Sequence, residues 1–565
     1  MPHLTLIFRF IAAACLLGIL SCQNQGERES FVYSRSSAEA TVTSNALRQH
    51  ISVLASDRFE GRAPGTRGEE LTVAYLVNEF KKMGLEPGNP DGSYFQPVPL
   101  SGFISRPEVS YRIGGRTTTL AFPQECVVWS RRALPQVQVD DSEMVFVGYG
   151  TVAPEYDWDD YKDVDVKGKT LVMLINDPPV PDRQDPTHLD EKMFKGTAMT
   201  YYGRWTYKYE IATAKGAAAA LIIHETGPAG YPYFVVVGSN SRENFDLRRS
   251  DRNLSRVAAE GWIPFEQAER LLGAAGQSLR ALKQAASRRD FRPVSLGATA
   301  SFKITNQLRE VTSQNVAAAL RGVDARLRDE WVIYTAHWDH LGRDSRLEGD
   351  QIYNGALDNA SGTAALLELA RSFGAVHPRP KRSVLFLSVT AEEKGLLGAQ
   401  YYVAHPLRPL LQTVANINMD TINPWGKTRD VQVVGYGNTT LEDLLSTSAL
   451  RQGRVVVGDT EPDKGRFFRS DHFEFARAGV PVLYLKAGSQ FSGHAPDYGK
   501  AKSAEYTERD YHKVSDEIKA DWDLSGGVQD IQLLFQVGLA VSDGAEKPRW
   551  KPGASFRPAD TQFHH

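Results

Sequence analysis

The chain has 565 residues, 42% hydrophobic and 24% charged, with a formal net charge of −3. That length exceeds what one core organises, so two or three units are expected, and the composition excludes a largely disordered chain. The near-neutral charge supplies no basic field for nucleic acid, and three cysteines are too few for a disulfide framework.

Arg9 is the only firm positive charge before an apolar run from Phe10 to Leu20. That run is too short to span a bilayer as a mature helix and has the form of a signal-peptide core. It leads into Ile19-Leu20-Ser21-Cys22 and then polar Gln23-Asn24-Gln25, which resembles a bacterial lipobox. Residues 1–21 are therefore expected to be a signal peptide and Cys22 the lipidated first mature residue. Gln23 stands where an inner-membrane retention signal would have Asp, so the expected location is the cell envelope, at the outer membrane or facing the periplasm. An ordinary secretory signal is the alternative, and it would leave the protein periplasmic or secreted. Cys126 is then the one mature thiol, expected as a small packed hydrophobe.

Residues 22–40 read as a polar tether and 41–136 as a first unit. Leu47, Ile51 and Leu54, then Leu71, Tyr75, Leu76 and Phe80, have helical spacing around a turn-rich loop, Asp57 to Thr66. Residues 137–302 change character, with strands at Met144–Gly150 and Thr170–Ile175 and a helix from Lys208 to Gly216 feeding a strand from Ala217 to Ile223. His224 stands alone after that strand and reads as structural. From 303 to 546 short apolar strands alternate with amphipathic helices, an α/β pattern. Residues 547–565 are Pro-rich and read as a loose tail.

The chemistry-bearing residues follow these later strands. Trp331 to Thr335 runs into His337-Trp338-Asp339-His340, where Asp339 shares a strand face with His337 and can hold its ring. Asp358 lies in a Gly-flanked turn before a helix and alone reads as a cap. Glu392-Glu393 ends the strand Val384–Val389. Adjacent side chains diverge, so one could bind a metal while the other faces water, although a lone Glu pair also suits a solvated helix start. Asp420 ends Val414–Met419, and His512 lies in Arg509–Asp516. Successive strands thus end in His, Asp or Glu, and ligands of open α/β sheets gather at carboxyl strand ends. Two His, two Asp and one Glu suit zinc, with one carboxylate left as a base, and five ligands suggest two metals sharing a bridge.

The ordered motifs TAHWDH, GALDNASG, TAEEKGLLGA, NINMD, SDHFEF and YHKVSD resemble the M28 co-catalytic zinc peptidases, a family of aminopeptidases and glutamate carboxypeptidases. The segment 137–302 resembles a protease-associated (PA) domain inserted between two peptidase parts, 41–136 and 303–546. The resemblance implies an α/β fold, a mixed central sheet flanked by helices, with a mainly-β PA insert serving as a lid or wall. It implies two zinc ions per chain. Asp358 would bridge them, His337 and Asp420 would complete one site, and Glu393 and His512 the other. Glu392 would be the general base, Asp339 the support of His337, His472 a supporting residue and Tyr511 an aid to the oxyanion. Leu357 replaces an Asp found in some relatives without displacing Asp358. A cis peptide at Asp358–Asn359 is also implied. The expected activity is hydrolysis of N-terminal residues from peptides. The alternatives are a glutamate-carboxypeptidase-like dipeptidase, which needs an Arg-rich pocket, and a non-catalytic binding protein on the same fold; the fold also hosts glutaminyl cyclisation.

Overall fold

The computed structural model describes residues 37–554. The signal segment, Cys22 and the end of the expected tail lie outside the described residues. Helices α1 (Ser44–Leu54) and α2 (Arg67–Lys82) open the fold. The Thr43 side chain accepts from the Ala46 amide to cap α1, whose Leu47, Ile51 and Leu54 are buried at helical spacing. The tether ends earlier than expected, since Ala38 is already buried and the Glu39 carboxylate accepts from Gln536 Nε2 at 2.9 Å.

Strands β1 (Phe95–Ile113), β2 (Val127–Trp129), β3 (Gln136–Phe146) and β4 (Thr170–Leu174) follow. Helix α3 (Trp205–Ala214), strand β5 (Ala219–His224), helix α4 (Tyr233–Asn240) and strand β6 (Ala259–Pro264) continue the inserted unit. Helices α5 (Phe265–Ala274) and α6 (Leu279–Ala286) then lead to β7 (Val294–Leu320). The last part contains β8 (Trp331–His337), α7 (Gly362–Gly374), β9 (Ser383–Val389), β10 (Thr413–Asn418), β11 (Asp430–Val433), β12 (Val455–Gly458), β13 (Val482–Lys486) and α8 (Ser525–Asp543).

The main path of the sheet runs β12-β11-β13-β10-β8-β9-β7-β3-β4-β5-β6-β2. Strands β9, β8, β10 and β13 are mutually parallel, so their carboxyl ends share one edge. Strand β7 spans both units: its end pairs antiparallel with β9, its start with β3, and most of its length with β1. Side-chain parity sorts the buried strands between two cores. Val332, Tyr334 and Ala336 of β8 join Val384 and Phe386 of β9 under α1, α2, α7 and α8. Trp331 and Ile333 face the opposite way with Leu385 and Leu387, in a core that also holds Val145, Leu171, Ile222 and Trp262 of the insert. The two units are therefore joined by apolar packing as well as by β7.

Three boundaries differ from the sequence reading. The insert's sheet begins before residue 137, because β2 pairs antiparallel with β6 and closes its edge. The insert is not mainly β: β3, β4, β5 and β6 run parallel, with α3, α5 and α6 among its helices. Residues 547–554 are docked rather than loose. Trp550 Nε1 donates to the Gly479 carbonyl at 2.9 Å, and Lys551 Nζ reaches Asp443 at 2.8 Å.

The loop between α1 and α2 buries Arg62 at 1% exposure. Its guanidinium donates to the carbonyls of Asn354, Leu54, Trp338 and Gly355 at 2.6, 2.7, 2.9 and 2.9 Å. Burial pulls its pKa down to about 10, against nearby Asp516, Asp339, Asp358 and Glu393. Arg62→Met would orphan these acceptors, at about 1–3 kcal/mol per unsatisfied buried group. It is expected to lower the melting temperature sharply, with Arg62→Lys intermediate; unchanged melting of Arg62→Met would refute this role.

Candidate metal centre

The segment Ala356–Ser361, which leads directly into α7, carries Asp358. Gly355 has φ +54, and a Cβ there would lie 2.3 Å from the Asp358 carbonyl oxygen, so only glycine fits. At Gly362 a Cβ would meet Asn359 Oδ1 at 2.2 Å. That oxygen accepts from the amides of Gly362 and Thr421, both at 2.9 Å, and so ties the Asp358 turn to the Asp420 turn. The Asp358–Asn359 peptide is cis. Ala391, Thr421 and His512 all have positive φ, so sparsely populated backbone flanks the acidic side chains.

His337, Asp358, Glu392, Glu393, Asp420 and His512 converge at the carboxyl edge of the sheet. His337 Nε2 lies 3.5 Å from Asp358 Oδ1, 3.4 Å from Asp420 Oδ1 and 3.9 Å from Glu392 Oε2. His512 Nε2 lies 3.2 Å from Asp358 Oδ2 and 3.1 Å from Glu393 Oε2. The two oxygens of Asp358 thus face two different imidazoles. Four ligands at zinc's usual bond lengths of about 2.0–2.1 Å stand about 3.3 Å apart along a tetrahedral edge. The separations match that spacing, and the mixed imidazole–carboxylate sets suit zinc: His337 with Asp358 and Asp420, His337 with Glu392 and Glu393, and His340 with Asp358 and Glu393 each come close enough to hold a cation, with His512 beside the last of these. Glu392 and Asp420, at 11% and 16% side-chain exposure, mark the side open to water; Glu393 is at 3%.

The adjacent glutamates have opposite electrostatics. Burial pushes the Glu392 carboxyl well above its ordinary range against the pull of His337, and Asp420, Glu393 and Asp471 push it the same way. Burial also disfavours a charged Glu393, but His512 and His340 outweigh it and hold that carboxyl well below its ordinary range. Burial likewise opposes a charged His512, yet Glu393 and Asp358 lift its ring to about 10.

Asp339 does more for the loop than for the ring. Its carboxylate accepts from the amides of Glu392 and Glu393 at 3.0 and 3.4 Å, while His337 Nδ1 meets the Asp339 carbonyl at 3.2 Å and its Oδ1 only at 3.8 Å. His472 is buried between Phe467 and Tyr484, and desolvation drives it down to about 3, so it packs as a neutral ring. Tyr511 lies against the His512 ring, with centroids 4.0 Å apart. His224 is in none of the candidate metal groups among the described residues; its Nε2 lies 3.0 Å from the Tyr231 carbonyl.

Sequence reasoning missed three groups here. His340 Nδ1 is 2.6 Å from Glu393 Oε1 and holds the oxygen that His512 does not face. Asp516 accepts from the amides of Leu357 and Asp358 at 3.0 and 3.1 Å, although burial pushes it up to about 7. Asp471 is fully buried among these acids, which raises its carboxyl well above the ordinary range. All three lie inside motifs already singled out, so the signal was present but gave them no separate role.

The family model for peptidase family M28 matches residues 315–536, the stretch that carries every one of these donors. Aminopeptidase NAALADL1 of Mus musculus is 38% identical over 129 residues, 22% of this chain and 16% of its own length. Leupeptin-inactivating enzyme 1 of Streptomyces exfoliatus is 30% identical over 174 residues, 30% of this chain and 38% of its own length. Aminopeptidase YwaD of Bacillus subtilis (strain 168) is 32% identical over 182 residues, 31% of this chain and 35% of its own length. The chain therefore matches well under half the length of these relatives. In fold, it is similar to the aminopeptidase from Aneurinibacillus sp. strain AM-1, with a TM-score of 0.50 and 18% identity over 92% of this chain and 98% of that one. With the motif order, the sheet and the converging donors in place, residues 315–536 form a peptidase family M28 domain, and the chain is similar to aminopeptidases that carry one.

Proposed function

We propose that this protein is a zinc exopeptidase that removes N-terminal residues from peptides. The observation that carries the reading is the divided carboxylate of Asp358, one oxygen toward His337 and the other toward His512. In this reading His337, Asp420 and Asp358 hold one zinc, and Glu393, His512 and Asp358 hold a second. Zinc supplies Lewis acidity there, polarising a carbonyl and making water a nucleophile near neutral pH by lowering its pKa from about 15.7 toward about 7. Glu392 accepts the proton of the attacking water on its carboxylate and returns it to the amine nitrogen as the C–N bond breaks. Its raised pKa and its place on the wet side support that role, while Glu393, low in pKa and buried, suits ligation. Asp339 holds both glutamates through their amides. The aminopeptidase names of the relatives support release of N-terminal residues over the dipeptidase alternative. We read the insert as the PA-type wall that limits access from one side, since α4 lies against the His512 loop. We also propose export and acylation at Cys22, on the strength of the Ile19–Cys22 sequence.

A panel of aminoacyl anilides and dipeptides, run with zinc quantified by elemental analysis, tests the activity. Glu392→Gln keeps size but cannot take the proton, so turnover is expected to fall by about 10²–10⁴-fold with zinc retained. Glu393→Gln replaces an anionic ligand and is expected to lower zinc content. The reverse pattern would swap the two roles, and unchanged turnover in both variants would refute the peptidase reading. For localisation, mass spectrometry of the mature N-terminus should find diacylglyceryl-modified Cys22; an unmodified N-terminus refutes the anchor.

A further inference from the structure

Helix α4 belongs to the inserted unit, yet its last turn meets both loops that carry one half of the donor cluster. Ser239 Oγ lies 3.0 Å from His512 Nδ1, across 273 positions of sequence. The carbonyl of the same Ser239 accepts from Lys394 Nζ at 3.2 Å, and Lys394 directly follows Glu393. Nearer the start of α4, the Lys513 ammonium sits 4.2 Å from the centre of the Phe234 ring. One residue of the insert thus touches the loops of both Glu393 and His512. The other half of the cluster is built differently: His337 Nδ1 meets Asp339 at the end of its own strand, within the M28 domain.

An imidazole that offers Nε2 to a cation must carry its proton on Nδ1, and the partner of Nδ1 fixes both tautomer and ring rotation. For His512 that partner is a hydroxyl. As a neutral acceptor it orients the ring without adding another negative charge to a crowded acidic site. His512 itself has φ 57 and lies in no helix or strand, so side-chain contacts rather than a regular element set its ring.

We propose that Ser239 is a positioning residue for the metal centre: its hydroxyl accepts a hydrogen bond from the Nδ1–H of His512, so that docking of the inserted unit sets metal affinity at the His512–Glu393 half. This rests on the reading of His512 and Glu393 as zinc ligands.

The test uses the full chain as wild type, Ser239→Ala and Ser239→Thr. Zinc affinity at each site is read by competition with a chromogenic chelator, beside the melting temperature of the metal-free protein. Ser239→Ala is expected to lose about 10–100-fold in affinity at one of two sites, the usual cost of removing a ligand's outer partner, with metal-free melting unchanged. Ser239→Thr keeps the hydroxyl and is expected to bind both zincs as wild type does. Wild-type affinity in Ser239→Ala overturns the proposal, as does equal weakening of both sites with lower metal-free melting, or a Thr variant as weak as Ala. A wild-type chain that holds two zincs beside an unaffected Ser239→Ala overturns this inference alone. A wild-type chain that binds no zinc overturns the metallopeptidase reading and this inference with it.

Discussion

Crowding of negative charge is the constraint on which the rest of this structure depends. Asp358, Glu392, Glu393 and Asp420 approach the same two imidazoles, with Asp339, Asp471 and Asp516 buried behind them. Carboxylates this close repel strongly where water is scarce, and burial penalises each charge again. The fold answers with backbone dipoles and fixed cations. Asp339 and Asp516 each accept from two consecutive amides, and the Arg62 guanidinium lies behind the cluster, bound to carbonyls of the very loops that carry the donors. What those groups leave uncompensated is the electrostatic case for divalent cations at the centre.

Parallel strands make that convergence possible. β8, β9 and β10 end at one edge, so donors far apart in sequence arrive within hydrogen-bonding distance of one another. The backbone pays locally for this, with left-handed residues at Ala391, Thr421 and His512 and with glycine required at positions 355 and 362. Strain collected beside the acids, and held by their surroundings, is the pattern expected of a preorganised site.

The inserted unit is bound to this edge by three independent means. The long strand β7 joins the two parts of one continuous sheet, one apolar core contains residues of both units, and α4 reaches the His512 and Glu393 loops. These contacts set the insert beside the loops that carry the donors, as the proposed wall requires, and apolar packing between units opposes their independent motion.

Much of this was legible in the sequence because it is local. Alternating apolar strands and amphipathic helices gave the α/β class. His337, Asp358, Glu392, Glu393, Asp420 and His512 stood out because donors of the right chemistry recur just past successive strands. The tertiary structure decided the rest. Only the folded chain settles which oxygen of Asp358 faces which histidine, that the Asp339 carboxylate serves the Glu392 and Glu393 amides, and that His340 and Ser239 touch the ligand residues. The early edge strand at Val127–Trp129 and the docked Trp550 were invisible for the same reason. Residue type and spacing are properties of neighbouring positions, whereas a hydrogen-bond partner hundreds of residues away is fixed by strand pairing and rotamer, which no local pattern encodes.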